Sequence, residues 1–176
     1  AGIKERMYAT SDNLLVQNNT VYMNGAGGIV INGDGTKPSG TIVEFNNAYQ
    51  NGQTVPDYWD IDLFKVGDNN IVRYNIVHDN HWISITAGGI RIDCWPNSQC
   101  GTNNKIYYNL VYNQRDGIVV YDDPHPSYIY NNVIYNTEET GIYVDATTSV
   151  DSCFIYNNII HTANRFIRTD VRATNM

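Results

Sequence analysis

Five short segments of this chain set polar side chains at alternate positions of an otherwise apolar run. They are DIDLF (60–64), GGIRID (88–93), GIVVYD (117–122), GIYVDA (141–146) and FIRTD (166–170). Alternation of this period sends one set of side chains to each face of a β-strand. With Ile61/Leu63, Ile90/Ile92, Ile118/Val120 and Ile142/Val144 turned inward, the outer face gathers Asp62, Arg91, Asp93, Tyr121, Tyr143, Asp145, Arg168 and Asp170. Carboxylates beside a guanidinium are equipment for general acid–base catalysis. They are also what an exposed sheet carries to stay soluble and avoid edge pairing.

Spacing narrows the chemistry. Residues two apart on a strand and one strand over lie roughly 8 Å apart, which is the relation expected of Asp62 and Asp93. Inverting glycoside hydrolysis needs its two carboxyl groups about 6.5–9.5 Å apart to admit a water. Arg91 points instead to eliminative chemistry on uronic acids, where a cation neutralises the substrate carboxylate; Asp93 and Asp123 would then be oxygen ligands for Ca²⁺. The longest insertions flank the same strands: residues 51–60 and 81–87 before them and 94–102 after. They bring Trp59, Trp82 and Trp95, all the tryptophan of the chain. Indole faces stack on the apolar faces of sugar rings, so these residues, with Tyr121, Tyr143 and Asp145, read as a carbohydrate-binding set. Packing of Trp82 over the hydrophobic flank of the chain is the competing reading.

The elements that position these residues come from a repeat. Aligning the sequence on Asn19, Asn46, Asn75, Asn109, Asn132 and Asn158 places Val or Ile three residues earlier in all six copies. A Val, Ala or Ile follows two residues later, and then Tyr22, Tyr49, His78, Tyr112, Tyr135 or His161. The intervals of 27, 29, 34, 23 and 26 residues vary as loops of different length between fixed strands would. β-Branched and aromatic content predicts strands. Asn tolerates a left-handed backbone, so each repeated Asn is expected to turn the corner between two short strands and to stack on its neighbours. The Gly-led segment supplies a third strand, and the Tyr/His column reads as a structural ladder.

Strand, corner, strand, loop, strand, stacked about 4.8 Å apart, resembles the right-handed parallel β-helix of the pectate-lyase-like superfamily. The expected fold is all-β: one solenoid domain over residues 1–176, about six coils of three short strands, or a segment of a longer one. That superfamily holds lyases, hydrolases, epimerases and non-catalytic proteins, and its substrates lie along the outside of the Gly-led strand. The resemblance thus implies a polysaccharide-active protein or, alternatively, a structural or adhesive β-helix segment. Asp123-Pro124-His125, directly after a Gly-led strand, is similar to the Asp-Pro-His core of alginate C5-epimerases, which implies catalytic roles for Asp123 and His125. Val120 stands where that family has Tyr, and Pro126 where it has an acidic residue.

Bulk properties bound the partners. A net charge of −7 disfavours nucleic acid and anionic membranes, both bound through Lys/Arg fields, and suits neutral sugars or divalent cations. Cys94 and Cys100 bracket a loop short enough for a disulfide ring or stand as free thiols; a disulfide would imply an extracellular or periplasmic location. Neither end of the sequence shows an amphipathic capping helix, so self-association through uncapped coils is a further expectation.

Overall fold

The computed structural model describes residues 3–6, 12–33, 37–52, 59–80, 87–95, 100–121, 126–146 and 153–171. Among these every regular element is a strand. In chain order they are β1 (Ile3–Arg6), β2 (Leu15–Gln17), β3 (Thr20–Tyr22), β4 (Ile29–Asn32), β5 (Ile42–Glu44), β6 (Asn47–Tyr49), β7 (Trp59–Phe64) and β8 (Ile71–Arg73). There follow β9 (Ile76–Asn80), β10 (Gly88–Asp93), β11 (Asn104–Tyr107), β12 (Leu110–Tyr121), β13 (Ser127–Tyr130), β14 (Val133–Ala146), β15 (Cys153–Tyr156) and β16 (Ile159–Val171). The strands pair in parallel, coil on coil, as a β-solenoid. One sheet runs β2-β5-β8-β11-β13-β15, so the chain makes about five full turns between its first and sixth rungs. β1 pairs with β4 as the Gly-led strand of a turn preceding the first rung.

The first three coils have the three separate strands expected. In the last three, the second and third strands run together as β12, β14 and β16, joining two faces of the solenoid into one continuous sheet. Shorter connections explain the difference: where only a few residues separate corner strand from Gly-led strand, the backbone bends through a bulge without leaving the ladder. Register shifts mark those bulges between Gln114 and Asp116 and between Thr137 and Thr140. The Gly that opens the third strand stands where coils approach closely; a Cβ on Gly117 would sit 2.5 Å from the carbonyl oxygen of Gly141.

The interior is a stack of mostly β-branched residues. Val43, Val72, Ile106 and Ile129 form one buried column, Ala48, Val77, Val111 and Ile134 a second, and Ile61/Leu63, Ile90/Ile92, Ile118/Val120 and Ile142/Val144 the third wall. Each Val, Ile or Leu side chain among them removed from water contributes about 1.5–3 kcal/mol. Tyr22, Tyr49, His78, Tyr112 and Tyr135 stack outside with ring centroids 4.8–5.0 Å apart, the structural ladder expected of that column.

The repeated Asn does form a ladder, but it does not turn the corner. Positive φ belongs to the residue before it: Asn18, Phe45, Tyr74, Tyr108, Asn131 and Asn157. The ladder Asn instead points inward along the stack. Asn46 Nδ2 donates to Val16 O, Glu44 O and Asn75 Oδ1, and its backbone N–H donates to the same Oδ1. Asn75 and Asn109 repeat the pattern. The side chain thus satisfies donors and acceptors that a tight corner leaves buried, which is why an amide recurs there.

A second amide series runs from Asn24 to Asn51 and ends on Asp60, which is fully buried. Asn51 donates to its Oδ1 from both Nδ2 and the backbone, and Gln114 Nε2 donates to Oδ2 at 3.1 Å. Burial pushes the Asp60 carboxyl up from 3.8 to about 7.

Candidate functional site

The Gly-led strands align their outward residues in two columns. One reads Val30, Asp62, Arg91, Val119, Tyr143, Arg168; the other reads Asn32, Phe64, Asp93, Tyr121, Asp145, Asp170. The predicted face therefore exists in the expected register. Val119, itself buried, splits its polar groups into two clusters.

The first cluster is closed on itself. Arg91 grips Asp62 with two parallel hydrogen bonds, Nε to Oδ1 at 3.0 Å and Nη2 to Oδ2 at 2.8 Å. Its Nη1 lies 3.2 Å from Asp93 Oδ2, and Asp93 Oδ1 accepts the Trp95 N–H. All three side chains are buried, with Asp62 3%, Arg91 5% and Asp93 7% exposed. The expected pair of carboxylates with a water between them is thus corrected: the guanidinium fills that space, because Arg91 is directly opposite Asp62 and two residues from Asp93. Charge-assisted fork geometry of this kind stabilises the Arg91–Asp62 pair. Each carboxylate oxygen of Asp93 already meets a donor.

Trp59 is also corrected. Instead of presenting its ring from a loop, it opens β7 and is 1% exposed. Its register partner is Gly88, and the indole fills the room left by the missing side chain: a Cβ there would meet Trp59 Cζ3 at 2.5 Å. The Arg91 guanidinium lies 5.5 Å from the ring centroid, adding a cation–π contact to the same closed cluster. Trp95 is 57% exposed. Cys94 and Cys100 form a disulfide that closes the loop beside it. Trp82, Asp123 and His125 lie outside the described residues, and with them the calcium pairing and the Asp-Pro-His reading.

The second cluster surrounds a cavity of about 150 Å³ lined by Arg115, Asp116, Tyr121, Glu139, Thr140, Tyr143, Asp145 and Arg168. It unites four residues of the predicted outer face, Tyr121, Tyr143, Asp145 and Arg168, with four on the bulged approach to the strand. Tyr143 Oη lies 2.9 Å from Asp145 Oδ2 and 3.1 Å from Asp170 Oδ2, so one phenolic proton serves two carboxylates. Arg168 bonds to Asp170 and sits 4.5 Å over the Tyr143 ring, while Tyr121 meets that ring edge-on at 5.8 Å. Burial, then the bond to Asp145, drives the Tyr143 phenol up; the Arg168 hydrogen bond holds Asp170 down.

At the other end of the cavity Arg115 pairs with Asp116 at 3.3 Å, and Glu139 faces Arg165 at 3.9 Å. Burial raises the Asp116 carboxyl, with Arg115 opposing that rise and Glu139 adding to it. The bulges put these residues here. Glu138 and Glu139 stand where the neighbouring coil has Arg115 alone, and such an insertion re-aims the side chains around it. The sequence held the signal: Gly117 follows its repeat Asn by 8 residues and Gly141 by 9.

With the geometry in hand, the comparison with protein families decides the lineage: the model of a right-handed β-helix region matches residues 7–163. The chain belongs to the right-handed β-helix family. Comparison with curated proteins and with solved structures gives no match. Membership in the β-helix family agrees with the pectate-lyase-like resemblance in fold, and β-helices do not share one activity, so function must be argued from this β-helix's own cavity.

Proposed function

We propose that this β-helix binds a neutral polysaccharide across its Gly-led sheet, with one sugar unit seated in the cavity between Asp116 and Asp145. The observation that carries the reading is the mixture of charge in that cavity. Arg115 and Arg168 alternate with Asp116, Glu139 and Asp145, around the rings of Tyr121 and Tyr143. An anionic sugar would face three carboxylates, and a cation two guanidinium groups. A neutral sugar hydroxyl donates to the first and accepts from the second, while its apolar ring face lies on tyrosine. A neutral sugar also lacks the carboxylate that makes its C5 proton acidic, so the proposal sets elimination and C5 epimerisation aside. Hydrolysis remains, with Asp116 as proton donor because its raised pKa keeps the carboxyl protonated to higher pH. The Cys94–Cys100 disulfide supports an extracellular or periplasmic setting for this binding.

Calorimetric titration with neutral glucan and xylan, and with alginate and pectate, tests the proposal. Binding of a neutral polymer, weakened about tenfold in Tyr143→Ala, is expected. Binding confined to the uronates, or none, would overturn it. Released reducing ends that vanish in Asp116→Asn would make the protein a hydrolase; binding without release would make it a binding module.

A further inference from the structure

The corner between the first two sheets carries aromatic residues where the fold would be better served by asparagine. In the turn preceding each ladder Asn, coils one, five and six place Asn18, Asn131 and Asn157 in the left-handed conformation. Coils two, three and four place Phe45, Tyr74 and Tyr108 there, with φ near 55°. Bulky residues pay about 1–2 kcal/mol for that backbone, more than Asn does. Burial does not repay it, because the three side chains are 53%, 42% and 48% exposed. They stack into a ridge, Phe45 on Tyr74 at 5.2 Å and Tyr74 on Tyr108 at 5.3 Å.

A groove of about 370 Å³ lies along this ridge, floored by Asn19 and Asn46. Its opposite wall is Thr20, Asn47 and Ile76. Among the described residues no carboxylate, amine or guanidinium lines it. Tyr74 covers one face of Phe45; the other looks toward coil one, where Asn18 rather than a ring occupies the matching position. Among the described residues the Asn18 amide and the Thr20 hydroxyl form no side-chain hydrogen bond, whereas Asn47 is engaged by His78 Nε2 at 3.1 Å.

We propose that this corner groove is a second saccharide site, in which an uncharged pyranose packs its apolar face on Phe45 and bonds its hydroxyls to Asn18 and Thr20. A charged ligand would find no counter-charge there, and an aliphatic one would leave the amide and hydroxyl groups desolvated and unmet. A peptide added as a strand would need a free sheet edge; β5 and β8 are paired on both sides, and the strands near the groove with one neighbour among the described residues, β2 and β3, lie in coil one and not along the Phe45–Tyr74 ridge. The groove is separate from the Gly-led cavity, and the inference stands on its own observations.

The test is an NMR titration of the isotopically labelled chain with cellohexaose, and with oligogalacturonate as the charged control. Phe45→Asn is the decisive variant, since it installs the residue that the same turn uses in three other coils and so preserves the fold. Cellohexaose is expected to shift the Phe45 ring and the Asn18 and Thr20 signals, and Phe45→Asn to weaken that binding about tenfold while leaving shifts at Tyr143 unchanged. The inference is overturned if these signals do not move, if oligogalacturonate moves them equally, or if Phe45→Asn binds as the parent does there. It is also overturned if they move with protein concentration alone and sedimentation shows dimers, which would assign the ridge to a second copy. Loss of the Tyr143 shifts with the Phe45 shifts retained would refute the cavity proposal only.

Discussion

Asp60 makes the stability of this β-helix depend on pH in a direction opposite to that of most carboxylates. Its side chain is wholly buried, accepts hydrogen bonds only from the neutral Asn51 and Gln114, and has its pKa pushed up to about 7 by desolvation, with Asp79 adding slightly. A pKa above the unfolded value of 3.8 means that the folded state holds the proton more tightly. The contribution is therefore complete below pH 3.8, shrinks as pH rises toward 7, and is gone above that. Three pH units correspond to about 4 kcal/mol, as an order of magnitude. Asp60→Asn removes the titration while keeping the shape. Gln114 Oε1 meets no partner in the native arrangement, and a reversed Gln114 amide turns it toward the new Asn Nδ2. Urea unfolding of both proteins from about pH 4 to about pH 8 is the assay, because all other ionisable groups cancel in the difference. The variant should gain on the parent steadily, ending more stable by up to about 4 kcal/mol. A difference that stays constant across that range would refute the reasoning.

Three further substitutions or treatments test the framework. Asn109→Ala strips the ladder of bonds to Val72 O, Tyr107 O, Asn132 Oδ1 and the Asn75 amides, and should cost about 3–5 kcal/mol in denaturant unfolding. Arg91→Leu leaves Asp62 and Asp93 buried without their counter-charge and should destabilise by about 3–5 kcal/mol, whereas a site arginine of the exposed kind would cost little. Reducing Cys94–Cys100, which closes a loop of sequence separation 6, should lower stability by about 2 kcal/mol, read as a drop in the urea midpoint.

Much of the solenoid was legible because its rule is local. Period-two alternation places Ile90 and Ile92 inward and Arg91 and Asp93 outward whatever surrounds them, and the Asn column announces one rung per copy. What the pattern lacks is the third dimension of each turn. The left-handed residue sits one position before the repeated Asn, because the amide is needed inside to satisfy buried backbone groups, a demand that composition does not display. Trp59 reads as a loop residue until its register partner proves to be Gly88. Asp62, Arg91 and Asp93 read as reactive groups on one face, and only side-chain geometry shows that one guanidinium holds both carboxylates. The cavity depends on one extra residue in coil five, visible as spacing but mute about where Glu139 would point.

The central claim is that a neutral sugar occupies the Gly-led cavity. Backbone amide shifts on adding a neutral glucan oligosaccharide test it most directly, with an oligogalacturonate in parallel. The account predicts that the neutral sugar perturbs residues 115–121 and 139–145 and that the uronate does not. Shifts at those residues with the uronate alone, or none there with either sugar, would contradict it.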